Sequence, residues 1–155
     1  FYKNSYIGRT FIKPTQEERE SSVHLKLSVL ESVVKDKRIV LVDDSIVRGT
    51  TIANLIHMLK EAGAKEVHVR ISSPPFLHPC YFGTDVPSND QLIAASHSTE
   101  EICKMIGADS LGYMQTDYLE GMAGGLPLCK ACFDGNYPME IPDYTNAEFA
   151  DIVKC

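Results

Sequence analysis

Two neighbouring carboxylates, Asp43 and Asp44, begin a short stretch of residues whose types could bind a phosphorylated sugar (residues 43–51, the 43–51 segment). Carboxylate oxygens accept hydrogen bonds from sugar hydroxyls and can help hold magnesium with its waters. Gly49 lets the backbone pack close to an anion, and N–H groups at a helix start, with Ser and Thr hydroxyls, donate to phosphate. The segment therefore predicts a site that binds the sugar at its acidic end and the phosphate at the other.

A simpler interpretation is that an Asp at the end of a strand only caps the following helix, which is common. Two in a row after a fully apolar strand, followed by Gly-Thr-Thr, favour the ligand-binding interpretation. The segment has neither the Gly-x-x-x-x-Gly-Lys-Ser/Thr pattern nor the Gly-x-Gly-x-x-Gly pattern of nucleotide sites. A sugar phosphate is therefore the predicted ligand.

Cysteines form a second candidate site. Cys129 and Cys132 are separated by two residues in a Gly- and Pro-rich stretch, and Cys80 follows His78 and Pro79 in another. Two thiolates at that spacing can bind one metal centre. The pair also fits zinc, a redox disulfide or two incidental thiols. A thioredoxin-type role is disfavoured, because the motif does not lie between a strand and a helix.

The strands that must position these residues are predicted by their apolar patterns. Residues 39–42 are a continuous, mostly β-branched run, typical of a parallel strand covered on both faces. Residues 67–71 alternate as a second strand, and residues 111–114 form a third. A strand, a loop, a helix and a strand in this order are typical of the crossover unit of an α/β fold.

Three helices are predicted from caps and apolar stripes. The first begins at Thr15 and ends near residues 35–37, the second is capped by Thr50 or Thr51, and the third begins at Ser98 with a Ser-x-x-Glu capping box. Their predicted buried faces are Val23, Leu27, Leu30 and Val34, then Ile52, Leu55, Ile56 and Leu59, then Ile102, Met105 and Ile106.

Composition excludes several classes of function. Fifteen Lys and Arg against 21 Asp and Glu give a net charge of −6, which repels nucleic acid and anionic membrane surfaces at long range. No stretch approaches the ~20 apolar residues that span a bilayer, and the start does not resemble a signal peptide. Five cysteines, an odd number, argue against a secreted disulfide framework. We expect a cytoplasmic location and no nucleic-acid or membrane partner.

The 43–51 segment also carries a resemblance to a known family. VLVDDSIVRGTT is similar to the phosphoribosyl-diphosphate (PRPP) signature of type I phosphoribosyltransferases. Four further blocks resemble one branch of them, the amidophosphoribosyltransferases: KNSYIGRTFIKPTQ, SSPPFLHPCYFGTD, LIAASHSTEEICKMIGADSLGYM and GLPLCKACFDGNYP. The resemblance implies part of the type I phosphoribosyltransferase fold, an α/β fold with a parallel sheet flanked by helices, and a cysteine-containing C-terminal tail.

The resemblance implies a reaction and residues for it. PRPP, glutamine and water would give 5-phosphoribosylamine, pyrophosphate and glutamate, the first step of purine synthesis. At matching positions, Asp43 and Asp44 would bind the ribose hydroxyls and magnesium, and the rest of the segment would bind the 5-phosphate. Tyr6 and Arg9 would belong to a catalytic loop that closes over PRPP. The residues implied for PRPP are Asp43, Asp44, Ser45, Ile46, Val47, Arg48, Gly49, Thr50 and Thr51.

A Bacillus-like subclass of this family carries a [4Fe–4S] cluster, whose ligand positions match Cys80, Cys129 and Cys132. The fourth ligand would lie upstream of Phe1, so this chain would hold an incomplete cluster or none. A zinc site that adds His78 is a weaker alternative.

The resemblance places residues 1–155 in the C-terminal portion of the phosphoribosyltransferase domain, without the glutaminase domain and the early transferase segment. Ammonia would come from that glutaminase domain, and this chain alone would have little or no activity. We expect self-association as a homo-oligomer, because a truncated sheet exposes an edge.

Three other functions stay open from the sequence. A nucleobase-salvage phosphoribosyltransferase would share the acidic segment but lack the Gly-Arg-Thr-Phe-Ile loop and the cysteine tail. A non-catalytic PRPP-sensing regulator would keep the segment and lose the catalytic loop. A small iron–sulfur electron carrier is the weakest of the three, because it would have no use for a phosphate-binding segment.

Overall fold

The computed structural model describes residues 2–3, 27–83 and 88–141. Its elements in chain order are β1 (Tyr2–Lys3), β2 (Leu27–Ser28), α1 (Glu31–Val34), β3 (Arg38–Asp43), α2 (Thr50–Glu61), β4 (Glu66–Ile71), a 3-10 turn (Asn89–Gln91), α3 (Ile93–Ser96), α4 (Thr99–Met105), β5 (Ser110–Tyr113), α5 (Tyr118–Met122) and α6 (Ala131–Asp134). Within these ranges, no helix is both long enough and apolar enough to cross a bilayer.

Three strands form the parallel sheet that the sequence predicted. Their order is β3-β4-β5, and Asp43 at the end of β3 lies opposite Ile71 at the end of β4. In the next pair, Ile71 lies opposite Tyr113, the last residue of β5. All three carboxyl ends therefore meet at one edge of the sheet, where α/β folds place their ligands.

The main core lies between one face of this sheet and helices α2 and α4. The predicted stripe of α2 is buried in it, and Val67 and Val69 of β4 are 0% exposed. Ile102 and Ile106 also join the core, but Met105 is 55% exposed, so its predicted burial is wrong. Residues four apart share one face of a helix, and in this seven-residue helix the Ile102–Ile106 row alone faces the sheet.

The opposite face of the sheet corrects the prediction of two-sided cover for the first strand. Residues of β3 alternate in burial, and Val40 and Val42 are 62% and 68% exposed. Within the described ranges, β3 is therefore covered on one face only. The sequence could not show this, because Val and Ile favour an extended backbone whether one face or both are covered.

The first predicted helix is confirmed at residues 31–34, which form α1, and is wrong at residues 27–30. Leu27 and Ser28 form β2 and pair in antiparallel fashion with Tyr2–Lys3, and Leu30 has an extended backbone just before α1. Pairing with another strand supplies the backbone hydrogen bonds that a helix would otherwise provide. Residues 27–28 can therefore form a strand even though their side chains recur with helical spacing. Thr15 and Val23 lie outside the described residues.

The other two predicted helix starts have different outcomes. The Ser98 hydroxyl accepts a hydrogen bond from the N–H of Glu101 (3.3 Å), and the Glu101 carboxylate accepts one from the N–H of Ser98 (2.8 Å). This confirms the capping box. The predicted cap of α2 at Thr50 or Thr51 is wrong, because Gly49 takes the capping position and both threonines lie in the first turn.

Candidate functional site at the carboxyl edge of the sheet

The acidic end of the 43–51 segment lies at the carboxyl end of β3. The Asp43 side chain is half-buried, and its Oδ1 atom accepts a hydrogen bond from the N–H of Asp44 (3.0 Å). Ser45 in turn donates its hydroxyl to Oδ1 of Asp44 (2.6 Å). Among the described residues, neither Oδ2 atom receives a hydrogen bond, so each carboxylate retains an oxygen for a ligand.

Burial is the main influence on the ionisation of Asp43. It raises the pKa of Asp43 above the ordinary 3.8, and the neighbouring charge of Asp44 adds to the rise, while the N–H of Asp44 opposes it. A group that is hard to ionise in the free protein gains from a nearby cation. The acidic end therefore offers oxygen ligands of the type that a cation such as magnesium takes.

The other end of the segment is the N-terminus of the 12-residue helix α2. Gly49 precedes it with a left-handed φ of 83°, and no side chain caps the helix. The first-turn N–H groups of a helix have no intrahelical acceptor, and together with the helix dipole they favour an anion. The side chains of Thr50 and Thr51 are exposed beside them. This end therefore suits a phosphate group.

The side chains in the middle of the segment contact protein. Ile46 is 2% exposed in the main core, and Val47 packs against a second cluster that contains Phe76 and Leu92. The Arg48 guanidinium donates a hydrogen bond to the side-chain oxygen of Gln91. Any contact of Ile46 or Val47 with a ligand would come from the backbone, and the predicted PRPP contacts of all nine residues stay predictions.

Two functional candidates lie outside the residues that the sequence singled out. Gln91 and Ile93 both contact the 43–51 segment. Ile93 lies in the block LIAASHSTEEICKMIGADSLGYM and Gln91 directly precedes it, but no pattern in the sequence indicates that either residue approaches the 43–51 segment. The predicted catalytic residues Tyr6 and Arg9 lie outside the described residues.

The predicted cysteine site lies against the second cluster. Cys80 and Cys132 are half-buried and pack against Phe76 and Leu92, whereas Cys129 is exposed. Burial raises the pKa of the Cys132 thiol to about 11, and the nearby thiols of Cys80 and Cys129 add to this rise. The thiols of Cys80 and Cys129 thus act on the ionisation of Cys132, and burial favours the neutral form of the Cys132 thiol.

The tail that carries these cysteines (residues 129–137, the cysteine tail) is bonded to the loop that carries Cys80. The carbonyl oxygen of Cys132 accepts hydrogen bonds from the N–H groups of Leu77 (2.9 Å) and His78 (3.1 Å). The Tyr137 hydroxyl donates to the carbonyl oxygen of Pro79 (2.8 Å). In the part of the chain that the structure describes, no three His, Cys, Asp or Glu side chains are arranged to hold a metal ion. The iron–sulfur and zinc sites both stay predictions.

Comparison with known proteins agrees with this geometry. A family model described as "Phosphoribosyl transferase domain" matches residues 2–72. The amidophosphoribosyltransferase of Bacillus subtilis is 52% identical over 148 residues, which are 90% of this chain and 30% of that protein. The amidophosphoribosyltransferase of Pyrococcus horikoshii is 59% identical over 136 residues, 88% of this chain and 30% of that protein. The chain thus spans somewhat under a third of the length of these relatives.

A solved structure decides the fold. It is the B. subtilis glutamine PRPP amidotransferase in complex with ADP and GMP, and it matches with a TM-score of 0.75 and 51% identity over 92% of this chain and 32% of that one. The chain has the type I phosphoribosyltransferase fold. A second structure, described as the allosteric regulatory enzyme of purine biosynthesis, matches with a TM-score of 0.73 and 50% identity. The fold predicted from the sequence is confirmed, and the strand β3 of its sheet ends at Asp43.

Proposed function

We propose that the protein acts as an amidophosphoribosyltransferase, which converts PRPP, glutamine and water to 5-phosphoribosylamine, pyrophosphate and glutamate, and that this chain supplies its PRPP-binding part. One observation carries the proposal. Two adjacent carboxylates, each with an oxygen that receives no hydrogen bond from the described residues, precede a helix N-terminus that no side chain caps, at the carboxyl edge of a parallel sheet. The relatives named amidophosphoribosyltransferase, about 50% identical over most of the chain, support this reaction over nucleobase salvage or PRPP sensing.

The two ends of the 43–51 segment bind different parts of PRPP. Asp43 and Asp44 accept hydrogen bonds from the ribose hydroxyls and hold magnesium, and the N–H groups and hydroxyls around Thr50 and Thr51 bind the 5-phosphate. Magnesium, when bound, neutralises charge on the diphosphate. With both ends of the sugar phosphate held, its C1 carbon has a fixed position, and such positioning supplies much of the rate in a group transfer.

Titration calorimetry tests this proposal. The protein is titrated with PRPP in magnesium buffer and again in the presence of a chelator. We expect magnesium-dependent binding that the double variant Asp43→Asn, Asp44→Asn weakens by about a hundredfold or more, because two charged ligand contacts are lost. Glu61→Gln, an exposed carboxylate on the far end of α2, is the matched control. Binding that survives both aspartate substitutions would contradict the proposal.

We also propose that glutamine hydrolysis takes place outside this chain, which spans about 30% of the length of its relatives. Tyr6 and Arg9 would then act on PRPP, while ammonia arrives from a glutaminase domain. The chain alone would form little or no phosphoribosylamine, even with ammonia supplied. An assay of phosphoribosylamine formation tests this, and turnover by the chain at the rate of a full-length relative would refute it.

For the cysteines we propose an iron–sulfur cluster that Cys80, Cys129 and Cys132 hold together with a fourth ligand from outside this chain. The neighbouring thiols support it, because thiolates are the ligands that iron–sulfur clusters take. Anaerobic purification followed by iron, sulfide and zinc analysis tests this. Iron and sulfide in equal amounts would support the cluster. Zinc without sulfide would contradict it and would indicate a zinc site formed by the three thiols and His78.

A homo-oligomer is the last part of the proposal. Val40 and Val42 expose apolar surface on the open sheet face, and burial of such surface stabilises association. Sedimentation velocity tests this, and a monomer at all concentrations would contradict it. The cytoplasmic location expected from the sequence stays a prediction.

A further inference from the structure

We infer that Gln91 and Ile93 are positioning residues for the 43–51 segment, and we call the two together the clamp. The inference rests on the proposed function, because it concerns the same site. Three successive residues of the segment, Val47, Arg48 and Gly49, each contact the clamp in a different way. The segment is thereby held in the shape that presents its N–H groups to a phosphate.

The first contact joins Arg48 to Gln91. Arg48 is the only Lys or Arg in the 43–51 segment, and a guanidinium next to a phosphate site usually contacts the anion directly. Here its Nη2 atom donates to the neutral Oε1 atom of Gln91 instead. The guanidinium has a fixed planar set of donors, so this bond fixes where the side chain of Arg48 lies relative to the backbone that follows it.

The second and third contacts come from Ile93. Its N–H donates a hydrogen bond to the carbonyl oxygen of Val47 (2.9 Å). Its Cδ1 atom lies 3.1 Å from the place that a β-carbon on Gly49 would occupy. The side chain of Ile93 therefore fills the space beside the glycine whose left-handed backbone starts helix α2.

These contacts complete a set that begins in the core. Ile46 is buried there, Val47 packs on the second cluster, and α2 is anchored by its own buried stripe. The clamp adds the contacts that hold Arg48 and Gly49 between these anchored residues. A segment that is already ordered loses less conformational entropy when a ligand binds. The clamp therefore tightens ligand binding without touching the ligand.

A matched pair of variants tests the role of Gln91. Gln91→Met keeps the length of the side chain and removes the acceptor, whereas Gln91→Glu keeps an acceptor oxygen for Arg48. Each is compared with the wild type for PRPP binding in magnesium buffer and for amide hydrogen exchange of the 43–51 segment in the free protein. Gln115→Met, the same substitution at an exposed position, controls for the change of side chain.

We expect Gln91→Met to weaken PRPP binding and to speed exchange in the segment, each by about threefold to tenfold, the range for one lost hydrogen bond. Gln91→Glu should stay within about twofold of the wild type in both measurements, a rescue that a purely steric role would not give. In an Arg48→Met background, Gln91→Met should have no further effect, because the bond is already absent.

Two results would overturn the inference. One is unchanged exchange in Gln91→Met. The other is a much larger loss of affinity in Arg48→Met than in Gln91→Met, which would mean that Arg48 leaves Gln91 and contacts the phosphate itself. If the wild-type protein bound no PRPP, the proposed function would fail, and the exchange measurements would still decide whether the clamp orders the segment.

Discussion

The carbonyl oxygen of Asp43 accepts two hydrogen bonds from Ser72, one from its backbone N–H (3.0 Å) and one from its hydroxyl (3.2 Å). Ser72 directly follows the last residue of β4, so the ends of two neighbouring strands are joined where the first acidic side chain projects. The backbone of Asp43 is held by the sheet, and its carboxylate is left for chemistry. The site thus combines a fixed backbone with a side chain that is costly to ionise.

The Asp43 carboxyl group is costly to ionise in the folded protein. We therefore expect Asp43→Asn to stabilise the free protein at neutral pH and to remove ligand binding. A raised pKa means that the folded state holds a proton more tightly than the unfolded chain, so stability falls as pH rises through that pKa. Asparagine keeps an acceptor for the N–H of Asp44 and carries no charge.

Thermal denaturation from about pH 4 to about pH 8 measures the effect. The melting temperature of Asp43→Asn should exceed that of the wild type by an amount that grows toward neutral pH and vanishes in acid. Asp90→Asn, a substitution at an exposed aspartate, should show no such trend. Equal melting temperatures at neutral pH would contradict the prediction.

Gly49→Ala should destabilise the protein more than Gly107→Ala. Both glycines have a positive φ, 83° and 73°, so alanine is strained by about 1–2 kcal/mol at either position. At Gly49 the new β-carbon would lie 3.1 Å from Cδ1 of Ile93, whereas at Gly107 none of the described residues lies within 4 Å of it. We expect the crowding to add about 1 kcal/mol.

Urea denaturation of the two variants measures that difference. Ile93→Val removes the methyl group that crowds the new β-carbon. In the Gly49→Ala background it should restore part of the stability lost to crowding, but none of the stability lost to backbone strain. A loss that is the same at both glycines would show that Ile93 moves aside without cost.

Asp109→Ala should lower the free energy of unfolding by about 1–3 kcal/mol, the cost of an unsatisfied buried donor. The Asp109 carboxylate accepts the N–H of Val67 (2.7 Å), and Val67 is fully buried at the start of β4. That hydrogen bond, with help from Lys60, lowers the pKa of Asp109 below the ordinary 3.8. The stabilisation by the Asp109 carboxylate is therefore complete at pH values above 3.8, the ordinary pKa of the unfolded chain. It is lost as the pH falls through the lowered pKa of the folded protein.

Denaturation of Asp109→Ala and Asp109→Asn at neutral and acid pH checks this assignment. Asparagine retains an acceptor oxygen and should lose less stability than alanine at neutral pH. The difference between the wild type and Asp109→Asn should shrink in acid, where the wild-type carboxyl group is protonated. A difference that persists in acid would point to packing and not to charge.

In the iron-free protein, Cys129 should react with iodoacetamide before Cys132. The thiolate is the reactive species, and a pKa of about 11 in place of 9.0 reduces it by roughly a hundredfold near pH 8. Cys129 is also exposed. Mass spectrometry of timed digests measures both rates, which should become equal in denaturant. Equal rates in the folded protein would mean that the cysteine tail is not packed on the second cluster.

The sequence predicted the parts of the structure that depend on local pattern. The stripe of α2 follows from helical periodicity, and the place of Asp43 follows from the rule that parallel strands end at a common edge. Local periodicity predicts a helix at Leu27, but the structure has a strand there. The local pattern cannot show this, because the strand partner, Lys3, is distant in sequence. The exposure of Val40 could not be read from its type, since valine favours a strand in either environment.

The candidate site shows the same division. Its acidic pair and its glycine were visible because their residue types carry the chemistry. The sequence does not predict the contact between Arg48 and Gln91, because it arises only when the 3-10 turn Asn89–Gln91 lies beside the segment. Spacing suggested that Cys129 and Cys132 act together, but their approach to Cys80 depends on how a long loop and the tail fold against each other.

Val47 packs in the same cluster as Cys80 and Cys132. The two thiols and one residue of the 43–51 segment therefore share the same apolar surroundings, formed by Phe76 and Leu92. Any adduct or substitution that enlarges one of those two thiols must displace side chains of the cluster on which Val47 also packs. Labels for spectroscopy attached at Cys80 or Cys132 would for this reason perturb the neighbouring segment, whereas the exposed Cys129 provides an attachment point outside that shared packing.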